Sequence, residues 1–459
     1  MSYLGIQTEY QPLAADQAFV PFGAWMDAYL AQATRPVRVA IERGNGCVSV
    51  FRTQLRGAEF AAANERFLER FVKFALWSAG GWRMYLCGCD AEAETICRAY
   101  APGGARQFDA AFMERVYQRP FSVIYCDEQN FPTAHEAPVA VGGHLSGCRI
   151  GFDAGGSDRK VSAVVDGETV FAREVVWHPK LSENPQYQYD GIVSALREAA
   201  AHLPRVDAVG VSSAGVIIDH RPMVSSLFRR VPKERIAEVH SIYQRAAREV
   251  CGDVPLAVAN DGDVTALAGS MSLQCGAVLG IAMGTSQAAG YVTADGCLTG
   301  WLNELAFAPV DLQLNASMDE WSGDRGVGGQ YFSQEAVIRL ASAVGISMPE
   351  ELTPAEKLTA VQRLAEQNDP RAEKIFRTMG GYLAHALGLY RHFYQMEHIL
   401  LLGRVVSGQG GLWLLEECRA ILAQQYPMLS ALDLRLPDEK TRRVGQAVAA
   451  ASLPVIAAE

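Results

Sequence analysis

The chain has 459 residues, 41 basic against 51 acidic, for a formal charge of 41 − 51 = −10 with histidines neutral. An acidic balance excludes a generic nucleic-acid backbone binder, which needs a surplus of cations on one face. With 49% apolar and 20% charged residues the chain is globular, not disordered or fibrous, and its length allows about two to four domains.

The opening MSYLGIQTEYQPLAAD lacks the basic and apolar blocks of a signal peptide, and no stretch approaches the ~20 apolar residues of a membrane span. Cysteines such as Cys47, Cys148, Cys251 and Cys418 are scattered within apolar runs, as reduced thiols are, so a cytoplasmic protein without membrane contact is expected. Cys87 and Cys89 lie close together, and with no partner cluster elsewhere they read as thiols at a strand end.

From Arg35, apolar stretches flanking Gly44-Asn45-Gly46 predict a β-hairpin. Phe67, Phe71, Val72 and Leu76 share the face of a helix that ends at Gly80-Gly81. WRMYLCG reads as a strand, Asp90 to Ala99 as a helix and PFSVIYC as another strand, before the linker FPTAHEAPVAVGGHLSG. A similar order then returns. CRIGFDAGGSDRKVSAVVDGETVFAREVVW forms strands with a tight turn at Asp166-Gly167, Asp190 caps a helix carrying Ile192, Leu196 and Ala199, and RVDAVGVSSAG is a buried strand. Residues 1–145 therefore read as a separate α/β region, a degenerate half-copy of the unit that follows. VPLAVAND ends a strand at Asn260, and GAVLGIAMGTSQAAGYVT is a hairpin bent at Gly284. Further on, Thr353-Pro354 with Glu356 makes a capping box, and Asp369-Pro370 opens a long helix with Ile375, Met379, Tyr382, Leu383 and Leu389 on one face. HILLLG is a strand, Leu412 to Tyr426 a helix, LDLRL an edge strand and TRRVGQAVAAASL the last helix. Strands and helices interleave, so the class is α/β.

Three glycine-containing turns follow apolar strands. In Asp153-Ala154-Gly155-Gly156-Ser157, an acid at a strand end precedes backbone N–H groups that can approach an anion; Gly-Gly-Ser is also an ordinary hairpin connection. Gly284-Thr285-Ser286 carries the same two readings. The third, Gly403-Arg404 through Gly410-Gly411, could admit a flat ligand or cap the next helix. Between them, Asn260-Asp261-Gly262-Asp263 places carboxylates at the carboxyl edge of a sheet, where open α/β folds put their sites. An Asx turn in which Asp263 caps the helix from Val264 accounts for Asp263 but not for Asp261.

In this order the pieces resemble the sugar-kinase, actin and Hsp70 ATPase superfamily, and within it the ROK family of sugar kinases and sugar-responsive repressors, over about residues 148–455. The resemblance implies a two-lobed, ribonuclease H-like (actin-like ATPase) fold with one lobe over 146–300 and the second over 301–459. It implies MgATP as phosphoryl donor and a sugar as acceptor. Asp153, Gly155, Gly156 and Ser157 match the first phosphate motif, with Asp153 facing Mg²⁺ through water. Gly284, Thr285 and Ser286 match the second, and Gly403 and Arg404 the adenosine motif. Asp261 carries over as general base, and Asn260 and Glu304 as sugar ligands. A homodimer is a further expectation, since proteins of the family often dimerise.

The sequence also departs from the family. Where a histidine binding sugar and zinc follows the glutamate, this chain has Phe307, and the cysteine-rich zinc loop is replaced by SGDRGVGGQYFS. A structural zinc needs about four N or S ligands, so no zinc site is expected, and Asp324 and Arg325 there read as a salt-bridged loop. Ala259 stands where an acid is usual, and Gln287, Ala288 and Ala289 replace glycines. Repressors of the family carry a basic helix-turn-helix that residues 1–145 lack, so no nucleic-acid partner is expected. Besides a hexose kinase, two readings stay open: a non-catalytic sugar or nucleotide sensor, and a phosphotransferase acting on an amino sugar or an acyl substrate.

Overall fold

A computed structural model of the chain describes residues 1–140, 142–436 and 439–456. An initial hairpin (β1, Ser2–Tyr3; β2, Ile6–Gln7) leads to helix α1 (Phe22–Leu30). A four-stranded sheet follows, formed by β3 (Arg35–Glu42), β4 (Val48–Leu55), β5 (Arg83–Cys87) and β6 (Ser122–Tyr125) in the order β4-β3-β5-β6. Helix α2 (Ala61–Ala79) joins β4 to β5, and α3 (Asp90–Tyr100) and α4 (Gln107–Tyr117) join β5 to β6. The short β7 (Val139–Ala140) then leaves this region.

The next sheet comprises β8 (Cys148–Ala154), β9 (Asp158–Val165), β10 (Glu168–Val176), β11 (Ala208–Ser213) and β14 (Leu256–Asn260), in the order β10-β9-β8-β11-β14. Strands β8, β11 and β14 run parallel, and β9 and β10 are antiparallel additions. Helix α5 (Pro185–Ala200) precedes β11; the hairpin β12 (Val216–Ile218) and β13 (Arg221–Val224) and helices α6 (Ile236–His240) and α7 (Ile242–Cys251) precede β14. Helix α8 (Asp261–Leu273) leads to a second sheet of the same plan, β15 (Val278–Met283), β16 (Gln287–Val292), β17 (Cys297–Leu298), β18 (His398–Leu402) and β19 (Asp433–Arg435). Its order is β19-β18-β15-β16-β17, with β7 added at the edge. Between β17 and β18 lie α9 (Gln334–Ala343), α10 (Pro354–Glu366) and α11 (Pro370–Tyr390), and between β18 and β19 lies α12 (Gly408–Gln425). The closing helix is α13 (Glu439–Ala451). Two sheets, each with a parallel core and an antiparallel flank, make the two-lobed actin-like ATPase fold.

The division of the chain differs from the expected one. In a copy of the following unit the first strand would run parallel to the strand after the helix, as β8 does to β11. Here β3 and β5 are antiparallel, and among the described residues no third antiparallel strand extends the sheet beyond β4, so the N-terminal sheet has its own topology. Nor does residue block 1–145 bury a core of its own. Trp25, Tyr29, Phe67, Phe74 and Trp77 share one continuous apolar cluster with Leu279, Phe307, Tyr382, Leu389 and Leu401, because a four-stranded sheet and short helices gain most by burying their apolar faces on the helical layer beside them. A boundary at 300 likewise separates β15–β17 from β18 and β19, their partners in one sheet. Helix α13 returns to the first lobe, where Gly151 of β8 and Gly210 of β11 lie against the carbonyls of Ala447 and Ala450, an approach a Cβ would block.

Smaller expectations shift as well. Helix α5 begins at Pro185 with Asn184 as its cap, not at Asp190, because the Asn184 side chain accepts from the Gln186 N–H at 3.0 Å. Helix α12 starts at Gly408, so Gly410 and Gly411 belong to its first turn, packed against the Phe376 ring and the Val406 carbonyl. Those glycines serve close packing and do not form an open loop for a flat ligand. Helices α1 and α4 went unread: α1 has no capping side chain at Pro21 to signal its start, nor has α4 at Arg106.

Candidate active site

Register assembles the first half of the site. Parallel pairing sets Asp153 beside Ser212 and Ser213 beside Asn260, at the carboxyl ends of β8, β11 and β14. Ser212 Oγ donates to Asp153 Oδ1 at 2.7 Å. The hairpin register places Lys160 directly opposite Asp153, and its Nζ lies 3.6 Å from Asp153 Oδ2 and 2.9 Å from Asp158. Burial pushes the Asp153 carboxyl above the usual carboxylate range, with Lys160 opposing. In the sequence Lys160, like Arg159, could reach phosphate but reads as decoration of an exposed turn; counting the hairpin residues from the Gly155-Gly156 turn sets it against Asp153 instead.

Asp261 is the first residue of α8, and the cap is Asn260, not Asp263. Asn260 Oδ1 accepts from the Gly262 N–H at 2.7 Å while its Nδ2 donates to the Gly215 carbonyl at 2.8 Å, so this amide is engaged at both ends in holding the strand-to-helix turn. Burial, and next the Asp153 charge, push the Asp261 carboxyl up to about 7. Asp263, also raised by burial to about 7, accepts from Asn303 Nδ2 at 3.0 Å, and Asn303 in turn accepts from the Tyr394 hydroxyl at 3.0 Å. Glu304 is raised to about 8, by burial and then by Asp261 and Asp263. The structure thus brings Asp153, Asn260, Asp261 and Glu304 into one acidic cluster, with Asn303 and Asp263 as members that sequence reasoning missed.

The second half lies at the carboxyl edge of the other sheet. Strands β15 and β18 pair in parallel up to Ala282 and Leu402, so the Gly284-Thr285-Ser286 and Gly403-Arg404 turns are neighbours. Gly403 has φ +93° and packs against the Met283 carbonyl, a conformation only glycine adopts cheaply. The Gly284 carbonyl accepts from the Gln334 N–H at 2.9 Å, anchoring this turn on the start of α9. Helix α8 links the halves: Gly262 sits against the Ala289 carbonyl, and Gly290 against the Gly262 carbonyl.

The N-terminal region supports the Glu304 segment directly. The carbonyls of Trp77, Ser78 and Ala79, which the end of α2 leaves without helical partners, accept from the N–H groups of Glu304, Asn303 and Leu302 at 3.0, 2.9 and 3.2 Å. Phe307, at the expected histidine position, is buried and packs at a tilt of 32° on Trp77 with centroids 4.4 Å apart, beside Phe108, Phe112 and Trp321. Asp324, in the segment replacing the zinc loop, accepts ion pairs from Arg70 at 3.1 Å, Lys73 at 3.2 Å and Arg106 at 2.7 Å. Glu69 and Asp109 complete this network. Arg325 instead donates to the Ala316 carbonyl at 2.8 Å. Among the described residues no group of three or more His, Cys, Asp or Glu is placed to hold a metal ion, and no helix is long and apolar enough to cross a membrane.

Fold and site together define the class: a two-lobed ATPase-type fold with acidic and glycine-rich turns at the carboxyl edges of its sheets. No protein-family model matches the sequence, and no curated protein matches it. Solved structures similar to it include ROK-family proteins. A ROK family transcriptional regulator, a homolog of the E. coli MLC protein, aligns with TM-score 0.51 at 18% identity, covering 67% of this chain and 78% of its own. A ROK hexokinase from Thermus thermophilus (TM-score 0.49, 19% identity) covers 66% of this chain and 97% of its own. A ROK family glucokinase from Streptomyces griseus, solved with glucose and AMPPNP (0.48, 19%), covers 66% and 99%. At 18% identity, the likeness to the regulator establishes the fold alone.

Proposed function

We propose that the chain is an ATP-dependent kinase of a hexose-class sugar, with Asp261 as general base. The observation that carries this reading is the placement of Asp261: at a strand-to-helix turn on the sheet edge, beside Asp153 and Glu304, with a carboxyl raised to about 7. A base with its pKa near the working pH transfers protons best. Phosphoryl transfer asks mainly for positioning and charge compensation. The backbone N–H groups of the Gly155-Gly156-Ser157 and Gly284-Thr285-Ser286 turns are suited to hold phosphates, with Gly403-Arg404 beside the nucleoside. Asp261 accepts the proton of the attacking hydroxyl. Glu304, whose carboxyl has no side-chain partner among the described residues, accepts from a neighbouring hydroxyl, and Asn260 holds the turn that aims Asp261.

Magnesium fits this donor set only at a distance. Asp153 is bonded by Ser212 and flanked by Lys160, so a hard cation would reach it through water, keeping most of its hydration shell. When bound with the nucleotide, it supplies neutralising charge on the phosphates.

The test is ADP release across hexoses, hexosamines and carboxylates, with Asp261→Asn as control. The expected result is turnover with one sugar class that Asp261→Asn abolishes while nucleotide binding persists. Turnover of the variant at the parent rate would remove Asp261 from the role of base. Silence of the parent across the panel, with MgATP bound, would mark a ligand sensor, and turnover confined to hexosamines or carboxylates would move the substrate class.

A further inference from the structure

Lys180 lies in a turn whose sequence, HPKLSENP, carries no recognisable motif. The turn is a single 3-10 element, Pro179–Leu181, following β10. It is pinned by the buried Gln188, whose Nε2 donates to the Pro179 carbonyl at 2.8 Å and to the Leu227 carbonyl at 3.0 Å. So held, the Lys180 side chain reaches back over the first glycine turn. An ideal Cβ on Gly156 would stand 2.6 Å from both Cε and Nζ of Lys180, so the ammonium occupies the space that the missing side chain leaves open. From there it acts on the Asp261 carboxylate, favouring its charged form. Among the described residues no carboxylate lies within 4.0 Å of Lys180 Nζ; the nearby acids of the turn, Asp153 and Asp158, are taken by Lys160. A half-buried cation without an anion, held between a phosphate-type turn and a carboxylate, is an arrangement that lacks its counter-ion.

We propose that Lys180 binds the transferring phosphoryl group of the nucleotide, the γ-phosphoryl. The proposal rests on the kinase reading for its chemistry. In the transfer step, the acceptor oxygen forms a bond to the γ-phosphorus as the bond from that phosphorus to the β–γ bridging oxygen breaks. The hydroxyl proton passes to Asp261, and ADP leaves with the electron pair. As Asp261 is neutralised it gives up its claim on Lys180, while charge on the phosphoryl oxygens persists throughout. The ammonium thus stays compensated during transfer. It also supplies what the backbone N–H groups of a glycine turn lack, a full positive charge.

The experiment is calorimetric titration of the full chain with AMPPNP and with ADP, both with magnesium and without acceptor, for the parent, Lys180→Met and Lys180→Arg. Lys180→Met is expected to weaken AMPPNP on the order of tenfold or more, as loss of a charged hydrogen bond should. ADP affinity should stay within about twofold, and Lys180→Arg should keep most of the difference between the nucleotides. Gly156→Ala, whose added methyl takes the ammonium's place without removing the charge, is expected to weaken AMPPNP selectively too. Equal loss for both nucleotides, or no loss for either, in Lys180→Met and Gly156→Ala would overturn the assignment. A parent that binds both nucleotides but releases no ADP with any acceptor would sink the kinase reading, yet leave the selectivity for the γ-phosphoryl to stand or fall on these titrations. A parent that binds neither nucleotide overturns both.

Discussion

Replacing Asp324 with asparagine removes one anion from a network whose buried part has three cations and three anions. Arg70 and Lys73 are 1% and 0% exposed, Asp109 2%, Arg106 and Asp324 10% each and Glu69 15%. Arg70, Lys73 and Arg106 balance Glu69, Asp109 and Asp324 in the buried part, and the less buried Arg66, 3.6 Å from Glu69, adds a cation at its rim; the variant leaves the buried part at +1 with little water to compensate. Burial alone would raise the Asp324 carboxyl, but Lys73, Arg70 and Arg106 outweigh it and hold it far below the usual range. Breaking a buried ion pair by removing one partner costs about 3–5 kcal/mol. At about 2.1 cal/mol/K of unfolding entropy per residue, a cooperative unit of 459 residues has about 1 kcal/mol/K, so Tm should fall by roughly 3–5 °C if the shared core unfolds as one. Differential scanning calorimetry at pH 7.5 reads this. Arg106→Gln combined with Asp324→Asn restores neutrality, and a double-mutant cycle should show the pair coupled, the double variant losing less than the sum of the single losses. A single-variant fall within about 1 °C, the range of a solvated surface pair, would refute the claim that this network fastens the 322–333 segment to α2.

Two further outcomes follow from the site. The carboxyls of Asp261 and Asp263, raised to about 7, and of Glu304, raised to about 8, hold protons in the folded chain that they lose when unfolded. The stability they contribute is complete below about pH 4 and lost as pH rises to about 8. The ligand-free Tm should therefore fall between pH 5 and pH 8.5, and Glu304→Gln should flatten that fall; parallel curves for parent and variant would contradict the burial argument. Gly403→Ala places a Cβ against the Met283 carbonyl at φ +93°, at a cost of about 1–3 kcal/mol, and should lower both Tm and nucleotide affinity. A variant matching the parent in thermal melts and nucleotide titrations would remove the backbone constraint assigned to that turn.

What the sequence made legible is local. The strand ends at Asp153 and Asn260, the hairpin at Gly284 and the capping box at Thr353 each rest on neighbours a few positions apart, and the structure has a turn, strand end or cap at each. Asp263 was misread for a local reason too: two candidate caps, Asn260 and Asp263, compete within one turn, and only the accepted N–H of Gly262 decides between them. Lys160 needed only the hairpin register. Lys180 needed more, since its approach to Gly156 depends on how a loop some twenty residues away folds back.

The N-terminal region was illegible as a support because its contacts to the Glu304 and Asp324 segments are long-range. Glu69, Arg70, Lys73 and Arg106 look like the charged face of ordinary surface helices, yet Arg70 meets Asp324 across 254 positions. Nothing in either segment announces the other. Once they meet, the logic is chemical: a loop that carries Glu304 into the cluster must be held rigidly, since small displacements at a reacting centre are costly in rate. Here α2 holds it: its carbonyls pin Leu302, Asn303 and Glu304, its Trp77 seats Phe307, and its Arg70 and Lys73 bind Asp324. The N-terminal block is therefore part of the site's scaffold rather than an appended domain.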